Sequence, residues 1–255
     1  MKYQICRIAL EAAVVTAGVF LSACGLFRDT TDSVFDNAED AISTDRAASD
    51  IETAQFEYEF GDGRTSTIRF QAPGKVRIDV LDGKKTAVFC LNGASGWIYM
   101  GGEVFNMSAD DIKEMHGALL LTIPFNVNFQ SIFTDAVLQE TLEDVCGEEC
   151  NVIHAVLRRE PDARAGLWVG KSTGLLRQLE IVRKDDGESA GEAVYMMQYF
   201  NYKDYDGITL PTQMFRFAPN GATKLSLISF ETNIDIPAYV FRKPERLSAV
   251  KGEER

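Results

Sequence analysis

Four residues, Leu21-Ser22-Ala23-Cys24, set a cysteine thiol directly after a run of small and apolar side chains. Upstream, Lys2 and Arg7 supply a short basic start and Ala12 to Phe20 carries no charge, which is the two-part pattern of an export signal. Glu11 precedes the run and the polar stretch Arg28 to Asp32 soon follows, so the segment falls short of the roughly 20 apolar residues that span a bilayer. A thiol is a strong nucleophile once ionised, and at the end of such a signal Cys24 is the first candidate for covalent modification.

Other groups with chemical potential are few. His116 and His154 are the only histidines, Gly93-Ala94-Ser95-Gly96 lacks the spacing of a nucleophile elbow, and no H-E-x-x-H occurs. The expectation is no enzymatic activity, no metal and no cofactor. Of five cysteines, Cys6 would leave with the signal and Cys90 lies within an apolar strand-like run, which leaves Cys146 and Cys150 as a local pair. Export to an oxidising compartment predicts a disulfide between these two, with a reduced pair as the alternative. His154 is their only nearby imidazole, and the spacing matches no standard zinc site.

Bulk properties narrow the partners. The 26 Lys and Arg against 38 Asp and Glu give a net charge of −12, which opposes nucleic acid as a partner. A chain of 255 residues holds one sizeable core, so a single domain with a tether is expected.

The elements follow from periodicity. Val34, Phe35, Ala38, Ala41 and Ile42 recur at helical spacing and predict an amphipathic helix after the tether. From Ile51 the period becomes two, with Phe56, Tyr58 and Phe60 alternating with Glu57 and Glu59. Turn pairs such as Asp62-Gly63, Asp82-Gly83, Asn92-Gly93, Asp186-Gly187, Asp206-Gly207 and Asn220-Gly221 separate the apolar runs. They delimit eleven strands: 51–60, 65–71, 75–81, 85–91, 97–100, 152–158, 165–169, 175–182, 193–202, 212–218 and 223–232. The fold class is therefore mainly β: an antiparallel meander, open or partly closed. Ser108 to Leu121 interrupts it with an N-cap serine, acids in the first turn and a late apolar stretch, which predicts a helix. Phe129 to Val137 is expected to lie over the sheet with it. Ala87 to Leu91 and Val194 to Met197 are apolar on both faces, so these strands must be covered twice. The N-terminal helix and the insert are the expected covers.

Two resemblances carry the reading further. Leu21 to Cys24 resembles the lipobox of bacterial lipoproteins, which implies removal of residues 1–23 and acylation of Cys24 on its sulfur and new amino terminus. Gly25, rather than aspartate, then points to the outer membrane. Further along, Phe70-Gln71-Ala72-Pro73-Gly74-Lys75-Val76-Arg77 leads through Asp82-Gly83 to Asn92-Gly93-Ala94-Ser95-Gly96-Trp97-Ile98-Tyr99. Leu167-Trp168-Val169, Thr173 to Arg177 and Tyr199 to Pro211 follow in order, with the acidic insert Ala109 to Met115 and Ile123-Pro124-Phe125 between. This arrangement resembles the lipoprotein carrier LolA, the acceptor LolB and the wider LolA-like group over about residues 51–244. LolA carriers have an arginine before the corner proline, where this chain has Ala72, and the lipobox together with the insert makes the likeness closer to LolB.

The resemblance implies an incomplete, curved antiparallel barrel with a helical lid, holding acyl chains of lipoproteins or lipids. Domains would be 1–23 signal, 24–50 acylated cysteine, tether and helix, 51–245 half-barrel with 108–137 as lid, and 246–255 polar tail. The expected wall comprises Phe56, Phe70, Val88, Trp97, Tyr99, Met197 and Phe217, and the lid Ile112, Met115 and Leu119. Leu81, beside Asp82-Gly83, loosely matches the place of the exposed leucine by which LolB contacts membrane, with burial at a strand end as the alternative. Anchorage at the periplasmic face of the outer membrane and a LolA-like carrier as partner are likewise implied. A module for another apolar ligand or for sensing envelope stress, and a structural lipoprotein with a filled barrel, are the alternatives.

Because stable attachment takes more than one lipid chain and Cys24 would supply them all, Cys24→Ala is expected to leave the protein soluble or uncleaved. Membrane fractionation with a carbonate wash checks this, and membrane association as firm as the parent's overturns it.

Overall fold

The computed structural model describes residues 29–43, 50–122, 128–184, 192–219 and 221–244; Cys24 and the rest of the predicted signal lie outside them. Fourteen strands form one wholly antiparallel sheet, not the eleven expected. The first meander contains β1 (Thr53–Phe60), β2 (Thr65–Gln71), β3 (Lys75–Asp82), β4 (Lys85–Asn92), β5 (Ser95–Met100) and β6 (Glu103–Asn106). The second contains β7 (Phe133–Leu138), β8 (Glu143–Val145), β9 (Glu148–Leu157), β10 (Glu160–Gly170), β11 (Leu176–Lys184), β12 (Glu192–Tyr205), β13 (Ile208–Ala218) and β14 (Gly221–Thr232). Pairing of β1 with β14 joins the two, giving the order β6-β5-β4-β3-β2-β1-β14-β13-β12-β11-β10-β9-β7, with β8 on β9. The ends β6 and β7 do not pair, so the barrel stays open.

Among the described residues, three α-helices lie between or before these strands: α1 (Thr31–Ile42), α2 (Ala109–Thr122) and α3 (Phe129–Ile132). The sequence from β6 to β7 contains α2 and α3, so the insert links the two free edges of the sheet. Phe133–Leu138, expected to lie over the sheet, instead extends it as β7. Its alternation is broken by Asp135 at φ 52° and a bulge between Thr134 and Val137, which hid the strand from a period-two reading and blunts the edge.

α1 begins at a capping box, in which the Thr30 side chain accepts from Ser33 N–H and the Ser33 side chain accepts from Thr30 N–H. Its apolar side, Val34, Phe35, Ala38 and Ile42, is buried in the main core. Phe35 stacks on Phe129 at 5.3 Å between ring centroids, and Glu39 accepts the Phe129 N–H at 2.7 Å. The helix also leans on the loop after β10: a side chain at Gly174 would meet the Asn37 carbonyl at 2.8 Å, and φ there is +70°, so glycine fits both demands. This core fills the half of the concave face built from β9 to β14.

The outer face of β3 to β5 has a cover the sequence did not reveal. Ile234, Ile236 and the short 3-10 helix Ala238–Phe241 pack on Val88, Cys90 and Trp97. Thr53 donates its hydroxyl to the Ile234 carbonyl at 2.7 Å, Arg77 donates to Val240 O at 2.7 Å, and the Trp97 indole N–H donates to Phe241 O at 3.3 Å. Arg77 is held in place by Asp79, which also binds Arg69 at 2.7 Å.

The expected disulfide is absent, and turn geometry explains why. Val145 pairs with Glu148, so Cys146 and Gly147 form a two-residue hairpin turn with both φ positive, 56° and 84°. Cys146 faces solvent, while Cys150 pairs across to Glu143 and is buried with Val145, Val152 and Trp168. The two thiols occupy different places and both are free. Burial pushes the Cys150 thiol up to about 11, and that of Cys90 likewise.

Under native conditions a thiol reagent is expected to label Cys146 rapidly and Cys150 only on unfolding, with no stabilisation lost on adding a reductant; equal protection of both, lost on reduction, contradicts this. Removing the keystone of the outer cover by Trp97→Ala should cost about 3–5 kcal/mol, read as a fall in the denaturant midpoint.

Candidate functional site

On the side of the concave face that α1 does not reach, α2 lies over a cavity of about 340 Å³, within the roughly 300–1,000 Å³ range of small-ligand sites. Its floor comes from seven strands: Tyr58 and Phe60 on β1, Ser66 and Ile68 on β2, Ile78 and Val80 on β3, Phe89 on β4, Ile98 on β5, Leu225 on β14 and Arg216 on β13. Met107, Asp111 and Met115 form the roof. Strand register brings these together: Tyr58 pairs with Ser66, Ser66 with Val80, Ile78 with Phe89 and Phe89 with Ile98. Each sits opposite the next on one side of the pleat.

The roof is positioned by capping and by a close approach. Ser108 caps α2: its N–H and hydroxyl donate to Asp111 Oδ2 at 2.7 and 2.8 Å, and its Oγ accepts the Asp111 N–H at 3.1 Å. Hydrogen bonds from the Ser108 backbone, then its hydroxyl, hold the Asp111 carboxyl below the usual range. Met107 reaches the cavity across Gly96, where a Cβ would stand 2.4 Å from the Met107 sulfur and 2.9 Å from the Cys90 carbonyl. Only glycine leaves that passage open, and the Met107 N–H bonds Gly96 O at 3.0 Å.

The polar groups of the wall are few. Tyr58 is wholly buried, which raises its phenol well above the ordinary value and keeps it neutral. Ser66 is 5% exposed and lines the cavity. Arg216 is exposed.

Of the residues expected from sequence, Met115 lines the cavity, and Ile112 and Leu119 of the same helix are half-buried against the main core. Phe56, Phe70 and Met197 face the interior but belong to the packed core beside the cavity. Val88, Trp97 and Tyr99 are on the opposite face, under residues 234–241. Phe217 alternates with Arg216 and so turns away as well. Because β4 and β5 are apolar on both faces, composition gives no parity; the true wall residues, Phe89 and Ile98, are their immediate neighbours. Ile78 and Val80 were missed although their alternation with Arg77 and Asp79 marks them.

Leu81 follows Val80 and is 47% exposed beside the Gly83-Lys84 turn. His116 is half-buried on α2, its imidazole pulled below the ordinary value chiefly by burial and secondly by Arg159, and His154 is exposed on β9. Among the described residues no group of three His, Cys, Asp or Glu could hold a metal ion, and no helix is long and apolar enough to cross a membrane.

No family model matches the chain, and no curated protein matches it. Solved structures do. A LolA superfamily protein from Nitrosomonas europaea is 15% identical with a TM-score of 0.56, covering 85% of this chain and 99% of its own. A DUF1329 family protein from Desulfovibrio piger is 16% identical with a TM-score of 0.56, covering 84% and 98%. A domain from Vibrio parahaemolyticus, designated as outer membrane lipoprotein-sorting, is 11% identical with a TM-score of 0.55, covering 83% and 97%. The likeness runs through nearly the whole of each neighbour, and what it establishes is the architecture: this chain has the open, curved, helix-covered antiparallel barrel of the LolA-like fold.

Proposed function

We propose that the protein binds the acyl chain of a lipid or lipoprotein in the cavity beneath α2 and acts, by binding and release rather than catalysis, as a LolB-like acceptor. In this reading it is anchored by Cys24 at the periplasmic face of the outer membrane and receives cargo from a LolA-like carrier. The observation that carries the reading is the cavity itself: about 340 Å³ of space with a predominantly apolar wall, left open in a barrel whose other half is tightly packed. A filled, purely structural barrel would leave no such space.

Energetics favour an enclosed site over a surface patch. Extracting a 16-carbon chain from a membrane costs on the order of 12 kcal/mol at ~0.8 per methylene, so an acceptor has to rebury most of it. The floor from β1 to β5 and the roof of Met107 and Met115 offer that enclosure, and methionine adapts to a flexible chain. Release requires one wall to yield, and α2 is joined to the sheet by side-chain packing rather than by ladder hydrogen bonds, so it can lift without breaking strand pairs.

Membrane contact is assigned to the β3–β4 hairpin. Val80 lines the cavity, the next residue Leu81 is exposed, and Lys84 and Lys85 are exposed at the turn. Met100 and Phe105, 57% and 48% exposed, continue the apolar rim on β5 and β6. This places an apolar lip with two cations beside the cavity, suited to the interface of a bilayer.

Met115→Asp combined with Leu119→Asp is expected to weaken binding of a fluorescent fatty acid by at least about tenfold, since burying a charge against a hydrocarbon chain is costly, while the β signal in circular dichroism persists. Unchanged binding, or complete unfolding, refutes the role of α2 as a lid. Native mass spectrometry of gently purified protein should show bound lipid, and lipoprotein cargo separates the acceptor role from binding of other lipids.

A further inference from the structure

Resting on the reading of the cavity as an acyl-chain site, we infer that its ligand carries an anionic head group and that Arg216 receives that group at the cavity mouth. Among the described residues, Arg216 is the only cationic residue of the wall. It is exposed on β13 and makes no ion pair or hydrogen bond among the described residues, in a chain where several other arginines are committed: Arg69 and Arg77 to Asp79, Arg177 to Glu148 and Arg183 to Glu160. An arginine fixed at one end of an apolar cavity, with no carboxylate of its own, presents a fork of donors matched to a carboxylate or phosphate.

The remaining polar atoms of the wall agree with this polarity. Asp111, the one acid among the described residues of the wall, has its Oδ2 taken up by Ser108 at the α2 N-cap. Ser66 lies further from the hairpin tips than Arg216: it pairs with Tyr58, whereas Phe60 pairs with Leu225 and Arg216 with Thr223, one step nearer the β13–β14 turn. The mouth at Arg216 is thus the place for a polar head, and the apolar interior toward Ile68 and Ile78 the place for the chain. A pure hydrocarbon leaves Arg216 without a counter-charge, and an amphiphile with an anionic head supplies one.

The test uses the purified full-length protein and displacement of a neutral apolar dye, N-phenyl-1-naphthylamine, by four probes kept below micelle formation: hexadecanoate, hexadecyl phosphate, hexadecanol and hexadecyltrimethylammonium. The parent is expected to bind at least one anionic probe about tenfold more tightly than the alcohol, and the cation most weakly. Hexadecanoate and hexadecyl phosphate distinguish a carboxylate head from a phosphate head, and preference for either supports the inference. Arg216→Gln should abolish the preference for the anion over the alcohol, and Arg216→Lys should retain part of it; the side chain is exposed, so both variants are expected to fold. Equal binding of anions and alcohol by the parent, or an anion preference surviving in Arg216→Gln, overturns the assignment and leaves the apolar cavity standing. Failure of all four probes to displace the dye defeats the cavity reading itself, and this inference with it.

Discussion

Pairing of β1 with β14 is the contact on which the rest of the molecule depends. The chain is two meanders, each able to grow by hairpins alone, and seven residue pairs from Ala54–Thr232 to Phe60–Leu225 join them into one surface. Once joined, right-handed strand twist bends so wide a sheet upon itself, yet β6 and β7 stop short of meeting. A curved sheet with two unpaired edges has a concave face that must be covered by something other than itself, and the 26-residue interval between those edges is where the chain places α2 and α3. Phe56, Tyr58 and Phe230 show how the joint is held: the ring of Phe56 meets that of its cross-strand partner Phe230 at a tilt, 4.7 Å between centroids, and stacks on Tyr58 at 6.1 Å.

Covering is uneven, and the proposed function rests on the unevenness. α1 seats Val34, Phe35, Ala38 and Ile42 against one half and buries them in the main core. α2 lies over the other half above a space that Ile68, Ile78, Phe89 and Ile98 border without filling. Rigidity is thus concentrated where the strands are longest, β9 to β14, while the part that would exchange a ligand is bounded by short strands and a helix capped through a single serine.

Much of this was legible in the sequence, for physical reasons that also mark where legibility ends. Where one face is wet, as in β1 with Phe56 and Tyr58 inward and Glu57 and Glu59 outward, alternation fixes both element and orientation. Glycine-containing turn pairs located the hairpins because positive φ demands them, and Ser108 announced α2. Where both faces are dry, the same period carries no direction, so Val88, Trp97 and Tyr99 were taken for the wall that Phe89 and Ile98 in fact provide. The strands β6, β7 and β8 were too short or too irregular to show a period. The disulfide reading failed because spacing in sequence does not report which way a turn residue points: at φ 56° Cys146 is directed outward. The strap of residues 234–241 gave no signal, since its hold on the sheet is made largely through backbone carbonyls, which composition cannot express.

That strap also imposes an order of events on the growing chain. The Trp97–Phe241 bond joins residues 144 apart, so β3, β4 and β5 can form hairpins early while Val88, Cys90 and Trp97 remain uncovered until almost the whole chain is available. Until residues 234–241 are made, the first meander stands half-dressed, with an apolar outer surface waiting for its lock. Such long-range closure slows folding and exposes sticky intermediates, making completion of the chain, rather than formation of its first strands, the moment at which the molecule becomes safe from its neighbours.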